Sequence, residues 1–392
     1  MEKFCNGRAA ARVDRAGSWG VGGMKRLVGQ CAVDPEIITV VKDDSVIVRS
    51  PDLPLSASHP TPSIFLVRVL TMLQYLRRGV FLFLALGAVS MAQAGVVVVL
   101  NSRDATVSLL DQATYQETGT FAVGKEPHHL MATPDNKSLI VASAVSNELI
   151  FLDPRSGKIQ RRVPDIIDPY QIGFSPDNKW FVSNALRLDR VDLYSYNGQD
   201  LRLHKRLPLA KMPSHMAFTQ DSKIVFITQQ GSDQVSAIDL GTQTVKWTMP
   251  VGKLPAGIAM TPDEKYLLVG IMGSDYVEVI DWRAQKTVKR IKAGAGAHNF
   301  RLTGDKRFIF VSNRVSNTIN IIDQEKLENV GTIDVPGGPD CMELTEDGKT
   351  LWVTLRWIKK VAVIDVPSRK VIKLIPVGRS PHGVYFINHA PR

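Results

Sequence analysis

Cysteine is almost missing from this 392-residue chain: Cys5, Cys31 and Cys341 are the three present. No CxxCH motif occurs, which excludes covalent c-type haem attachment. A GxSxG elbow, an HExxH pair and a glycine-rich phosphate loop are absent too, so no familiar hydrolase or phosphate-loop signature singles out a nucleophile or a metal pair. The apolar run at 80–91 has 12 residues, short of the roughly 20 that span a bilayer as a helix. What fills the chain instead is a repeat.

A turn-forming Pro followed eight residues later by Asp recurs at 127–135 (PHHLMATPD), 169–177 (PYQIGFSPD), 213–221 (PSHMAFTQD) and 255–263 (PAGIAMTPD). It continues with variants at 297–305 (AHNFRLTGD), 339–347 (PDCMELTED) and 381–389 (PHGVYFINH), the seven starts lying 42, 44, 42, 42, 42 and 42 residues apart. A period of that length marks a stacked or radial repeat whose copies are each one supersecondary unit. Within the copy at Pro255, segments 257–261, 266–271, 276–280 and 287–291 are rich in Val, Ile, Tyr and Thr and too short for helices. They read as strands separated by Asp- and Gly-containing turns. Asp111, Asp153, Asp239, Asp281, Asp323 and Asp365 close the third strand of their copies. Four strands per 40–50 residues is the arithmetic of a propeller blade, so the expected fold is all-β, a seven-bladed β-propeller.

The last copy holds only a first strand, 383–387, while strands 96–100, 106–110 and 117–123 precede the first Pro. Pairing the C-terminal strand with those N-terminal three completes the seventh blade, closes the ring and hides both sheet edges.

Upstream, Met72, Arg77 and Arg78, the run 80–91 and Ala92-Gln93-Ala94 form the three regions of a secretory signal peptide, with cleavage expected after Ala94. Residues 1–71 show no repeat and include the loop-like PDLPLSASHPTPS at 51–63. They read as a non-native or disordered extension, with translation starting at Met72; the alternative is a genuine N-terminal region followed by a membrane anchor. The expected organisation is thus 1–71 extension, 72–94 signal peptide and 95–392 propeller, periplasmic or secreted, monomeric, with no transmembrane anchor after processing. Residues 1–94 carry 11 Lys/Arg and 7 Asp/Glu, so the remainder has 37 basic and 31 acidic residues, a formal charge of +6 in place of +10. That surplus suits anionic ligands without forming the dense stripe of a nucleic-acid binder. Only Cys341 remains, so stability rests on packing between blades rather than on disulfides.

The units resemble YVTN-repeat β-propellers, of the superfamily that includes cytochrome d1-like and nitrous oxide reductase-like propellers. The resemblance is carried by PAGIAMTPDEK at Pro255, PHGV at Pro381, FVSN at Phe181 and Phe310, WVTL at Trp352 and VEVID ending at Asp281. Val-Gly pairs at 123–124, 251–252 and 377–378 complete it, and it covers 95–392. It implies the propeller fold and leaves the activity open, because such propellers include lactonases, nucleic-acid-binding periplasmic proteins, copper-cluster reductases and d1-haem-binding proteins.

Function therefore has to come from a site, and the histidines define one. His128, His129, His215, His298 and His382 lie one or two residues after the repeat start, where a propeller gathers its blades at the channel mouth. Tyr170, Gln171, Asn299, Asp340 and Cys341 share that register, and the turns between second and third strands add Arg103, Arg187, Arg190, Arg314, Arg356, Trp357, Lys359 and Lys360. Imidazoles with a thiol suit a transition metal, while surrounding guanidinium groups suit carboxylates or phosphates. A tetrapyrrole bearing carboxylates meets both demands. The candidate metal ligands are His128, His129, His215, His298, His382 and Cys341; the candidate cofactor contacts are Arg103, Arg187, Arg314, Arg356 and Tyr170. A plainer reading stays open, since His after the repeat Pro is common in the resembled family; His129, His215 and Cys341 depart from its usual Gly. His204 and His389 read as surface residues. The function expected is binding of an anionic or metal-containing small molecule, or of an exported protein partner. The alternatives are a lactonase-like hydrolase and a single-stranded nucleic-acid binder using Tyr170, Trp357 and the basic turns.

Overall fold

A computed structural model describes residues 95–391; the readings made for residues 1–94 lie outside the described residues. Seven antiparallel four-stranded sheets are present, each following the chain from the channel outward in six cases. We number these blades I to VI by their innermost strands, Pro127–Ala132, Pro169–Phe174, Pro213–Phe218, Pro255–Met260, Ala297–Leu302 and Pro339–Leu344. Blade VII is composite: Pro381–Tyr385 pairs antiparallel with Val96–Asn101, which continues into Thr106–Asp111 and Glu117–Ala122. The ring closes as the repeat predicts. Observed strands in blade IV, Pro255–Met260, Tyr266–Ile271, Tyr276–Asp281 and Lys286–Lys292, match the sequence expectation within two residues. Among the described residues the only helix is a 3-10 turn, Leu186–Leu188, and no helix is long and apolar enough to cross a membrane.

The repeated acidic residues are explained by their turns. Thr133 Oγ1 donates to Asp135 Oδ1 at 2.7 Å, and the Lys137 amide donates to the same oxygen at 3.1 Å. The same pair recurs at Ser175/Asp177, Thr219/Asp221, Thr261/Asp263, Thr303/Asp305 and Thr345/Asp347. Asp153 likewise accepts from the Arg155 and Ser156 amides. These carboxylates close backbone turns, a structural role.

Each blade is covered on both faces by its neighbours, so second strands such as Leu139–Ser143 are buried throughout, as in any sheet sandwiched on both sides. Outer strands such as Glu117–Ala122 alternate exposed and half-buried residues at the rim. The apolar clusters lie between blades: Trp352, Val361 and Ile375 of blade VI pack on Val97, Val99, Leu110, Val384 and Phe386 of the composite blade.

The chain end is fastened beneath the channel. Arg301 Nε donates to Glu343 Oε1 at 2.7 Å, and its Nη2 donates to the Ala390 carbonyl at 2.6 Å, with Arg301, Glu343 and Ala390 all buried. His389 bridges to Thr345 and is half-buried against Tyr385, so it is part of this closure rather than a loose surface residue.

Candidate binding hub at the propeller channel

Strand periodicity alone would send consecutive residues to opposite faces. A β-bulge at the start of each inner strand overrides it: in blade III, Pro213 pairs with Gln229 and Met216 with Ile227, so Ser214 and His215 together oppose Thr228. Blades IV, V and VI repeat this shift. The second and third residues of each copy are thereby both re-aimed, and the histidines sit inside the inner strands themselves.

Hydroxyls hold the bulges. The Cys341 amide donates to Thr354 Oγ1 at 3.0 Å, and that hydroxyl donates to the His382 carbonyl of the next blade at 2.7 Å. Thr228 makes the same link from the His215 amide (3.1 Å) to the Ala256 carbonyl (2.8 Å). Replacing Thr354 by the isosteric Val leaves a buried donor and a buried acceptor without it. The expected cost is about 2 kcal/mol, read by denaturant melts; a change below about 0.5 kcal/mol would show the clamp to be idle.

The second-position residues, joined in blade III by the third-position His215, form a circle that closes the channel. His382 and His128 rings lie 3.9 Å apart, His128 stacks on Tyr170 at 3.7 Å, and His215 meets His298 edge-on at 5.0 Å. Asp340 completes the circle, 3.1 Å from His298 Nδ1 and 3.6 Å from His382 Nε2. His128, His215, His298 and His382 are all at most 5% exposed, and Asp340 is fully buried. Two cations reach the same carboxylate: Arg314 Nη2 at 2.5 Å and Arg356 Nη1 at 3.3 Å. Burial pushes the Asp340 carboxyl up, but Arg314 and then the His382 and His298 imidazoles outweigh it and hold it well below the usual range. Burial, followed by Arg314, lowers His298 to about 4; burial also lowers His128, His215 and His382 well below the ordinary histidine value. The hub at neutral pH therefore holds neutral imidazoles, one carboxylate and two guanidinium groups.

His215 gives this a solution signature. Its folded value lies below the unfolded 6.5 because burial, then His298, disfavours the imidazolium. As pH falls through about 6.5 the unfolded chain binds the proton first, so stability present above that pH is lost below it. The melting temperature of His215→Gln is expected to fall less between about pH 7 and pH 5 than that of the parent; equal falls would remove His215 from the account.

Below the circle lies a cavity of ≈ 240 Å³ lined by His129, Gln171, His215, Asn299 and Cys341. Gly257 also lines it, and a Cβ there would come within 2.1 Å of the His298 carbonyl oxygen, so the close approach of the two backbones requires glycine. The Cys341 thiol is half-buried because it faces this cavity; Asn299 Nδ2 donates to its sulfur at 3.1 Å, and burial pushes the thiol well up.

The structure thus brings together His128, Tyr170, His215, His298, His382, Cys341, Arg314 and Arg356, with His129 on the cavity wall. It separates the rest. Arg187 is committed to Asp168 at 2.5 Å and Glu126 at 2.7 Å, away from the circle. Arg103 is exposed and lines a second cavity with Arg356, Trp357, Lys359 and Arg379. Arg190 opens a strand and pairs with Asp192 at 2.8 Å. His204 bonds Ser195 on the rim strand Leu201–Pro208. Asp340 is the residue whose importance the sequence understates: its neighbours come from four places in the chain.

Fold and hub together define a seven-bladed propeller whose channel is plugged by polar rings contributed by separate blades. Within that class the chain belongs to the YNCE-like beta-propeller family, whose model matches residues 73–392. Similar solved structures share the fold at low identity. One is dihydro-heme d1 dehydrogenase NirN in complex with DHE, with a TM-score of 0.57 and 16% identity over 76% of this chain and 76% of that one. A functionally unknown protein from Desulfotomaculum acetoxidans has a TM-score of 0.65 and 12% identity over 75% and 99%. Hydrazine synthase of Kuenenia stuttgartiensis has a TM-score of 0.56 and 17% identity over 67% and 95%. No curated protein matches the chain in sequence.

Proposed function

We propose that the protein is an exported binding protein whose loop face captures a small anionic ligand beside the hub. The observation that carries this is the cavity of ≈ 510 Å³ formed by loops of blades VI and VII, lined by Arg103, Arg356, Trp357, Lys359 and Arg379. The single carboxylate on its wall, Glu126, is already engaged by Arg187, and Arg379 is held by Asp104. Arg103 and Lys359 have no carboxylate within ion-pair distance among the described residues, so the cavity keeps a positive surplus. Guanidinium groups donate bidentately to carboxylate or phosphate oxygens, and Trp357, 55% exposed, offers an indole face to a planar ligand body. Export rests on the leader-like composition of 72–94.

The test is Trp357 fluorescence during titration with inorganic phosphate, citrate, a benzene tricarboxylate and a single-stranded oligonucleotide. Saturable quenching by the aromatic carboxylate, weakened by salt and about tenfold (1.4 kcal/mol) in Arg103→Ala or Lys359→Ala, supports the reading. No saturable binding by the carboxylates or phosphate overturns it, and tighter oligonucleotide binding favours the nucleic-acid alternative.

A tetrapyrrole with carboxylate side chains is a second reading, favoured by the same cations and by the likeness to dihydro-heme d1 dehydrogenase NirN in complex with DHE. Its carboxylates would meet Arg103 and Arg356. The imidazoles, sealed in the circle, would not reach an iron held on the loop face unless the hub opened.

A further inference from the structure

We propose that the hub itself holds one thiophilic metal ion, copper(I) in preference to a divalent cation, between Cys341, Asp340 and His382. This rests on the hub alone and stands whether or not the loop face takes an anion. One ligand atom from each of the three residues lies within 4.8 Å of the others, close enough to converge on a single ion after small side-chain shifts. His382 Nδ1 is spent donating to the His128 carbonyl at 2.5 Å, which fixes the tautomer and leaves the Nε2 lone pair as the donor. That nitrogen is buried without a hydrogen-bond partner, and Asp340 Oδ1 has His298 Nδ1 at 3.1 Å as its neighbour. The amide of Asn299 donates to Cys341 Sγ, the polarity a thiolate needs.

Charge selects the ion. Arg314 and Arg356 already place two positive groups on Asp340, so a divalent ion would add an unopposed charge at the hub's centre. Copper(I) does not: as it binds, the Cys341 thiol proton leaves to solvent, a Cu–S bond forms, and one positive charge replaces another. A soft thiolate with imidazole is also the donor set that selects this ion. The channel cavity supplies a route, since Cys341 lines it together with His129 and His215.

The experiment uses the full chain, stripped with chelator and reloaded anaerobically with copper(I) or, separately, zinc(II). Bathocuproine disulfonate competition and metal analysis give affinity and stoichiometry. One equivalent of copper(I) is expected, weakened at least a hundredfold in Cys341→Ser and in His382→Asn, and unchanged in the rim variant His204→Ala. Near-UV circular dichroism confirms that each variant is folded, and X-ray absorption should show a sulfur scatterer on copper that Cys341→Ser removes. Less than one equivalent, or equal retention by Cys341→Ser, overturns the site. Stoichiometric zinc without copper overturns the choice of ion.

Discussion

A chain ending at Ser380 is expected to show no cooperative unfolding transition. Its loss is small in length, residues 381–392, but it removes the innermost strand of blade VII and opens Val96–Asn101, five of whose six residues are buried. Val384, Tyr385 and Phe386 leave the clusters on both sides of the blade. Each such side chain is worth about 1.5–3 kcal/mol of burial, against a total stability of roughly 5–15 kcal/mol for a typical domain. Arg301 also loses the Ala390 carbonyl. A thermal melt followed by circular dichroism decides the matter: a truncated protein melting within about 2 °C of the parent, when each kcal/mol moves a domain of this size by about 2–4 °C, would refute closure by the last strand. Ending the chain after Phe386 instead keeps the strand and its buried Phe386, and tests the fastening of the following residues, the Arg301 clamp included.

Asp340→Asn should move two properties in opposite directions. The substitution leaves Arg314 and Arg356 without their shared carboxylate, and breaking a buried ion pair from one side costs about 3–5 kcal/mol. Both guanidinium groups retain some exposure, 15% and 25%, so the lower end, about 3 kcal/mol, is expected. Removing a negative charge beside Arg356, which also lines the anion cavity, should at the same time tighten carboxylate binding roughly tenfold. Denaturant melts and the Trp357 titration read the two effects on one sample. Lower stability with unchanged or weaker anion affinity would separate the hub from the cavity and leave Asp340 a purely structural residue.

The architecture was legible because its signals are local and repeated. Thr/Ser-x-Asp turns mark where six of the first strands end, and the near-constant spacing of 42 or 44 residues stacks one copy on the next. The hub was legible in residue types but not in placement. Period-two reasoning separates His128 from His129 and Asp340 from Cys341; only the bulge after the repeat start lets both members of each pair contribute to the hub and its channel. In sequence Arg187 and Arg314 occupy the same turn, yet one is absorbed by Asp168 and Glu126 and the other reaches Asp340. That difference depends on side chains supplied by neighbouring blades. The Arg301–Glu343 pair could have been found, because the two occupy the same register 42 residues apart and carry opposite charge. Registers compared across copies, rather than motifs within one, hold that information.

The strand that locks the wheel follows every other described strand in the chain. Its partner, Val96–Asn101, emerges nearly three hundred residues earlier, so the composite blade and the flanks of blades I and VI that face it must wait for that strand. A nascent chain of this design keeps an open ring until that strand has been made, so ring closure is its most non-local pairing.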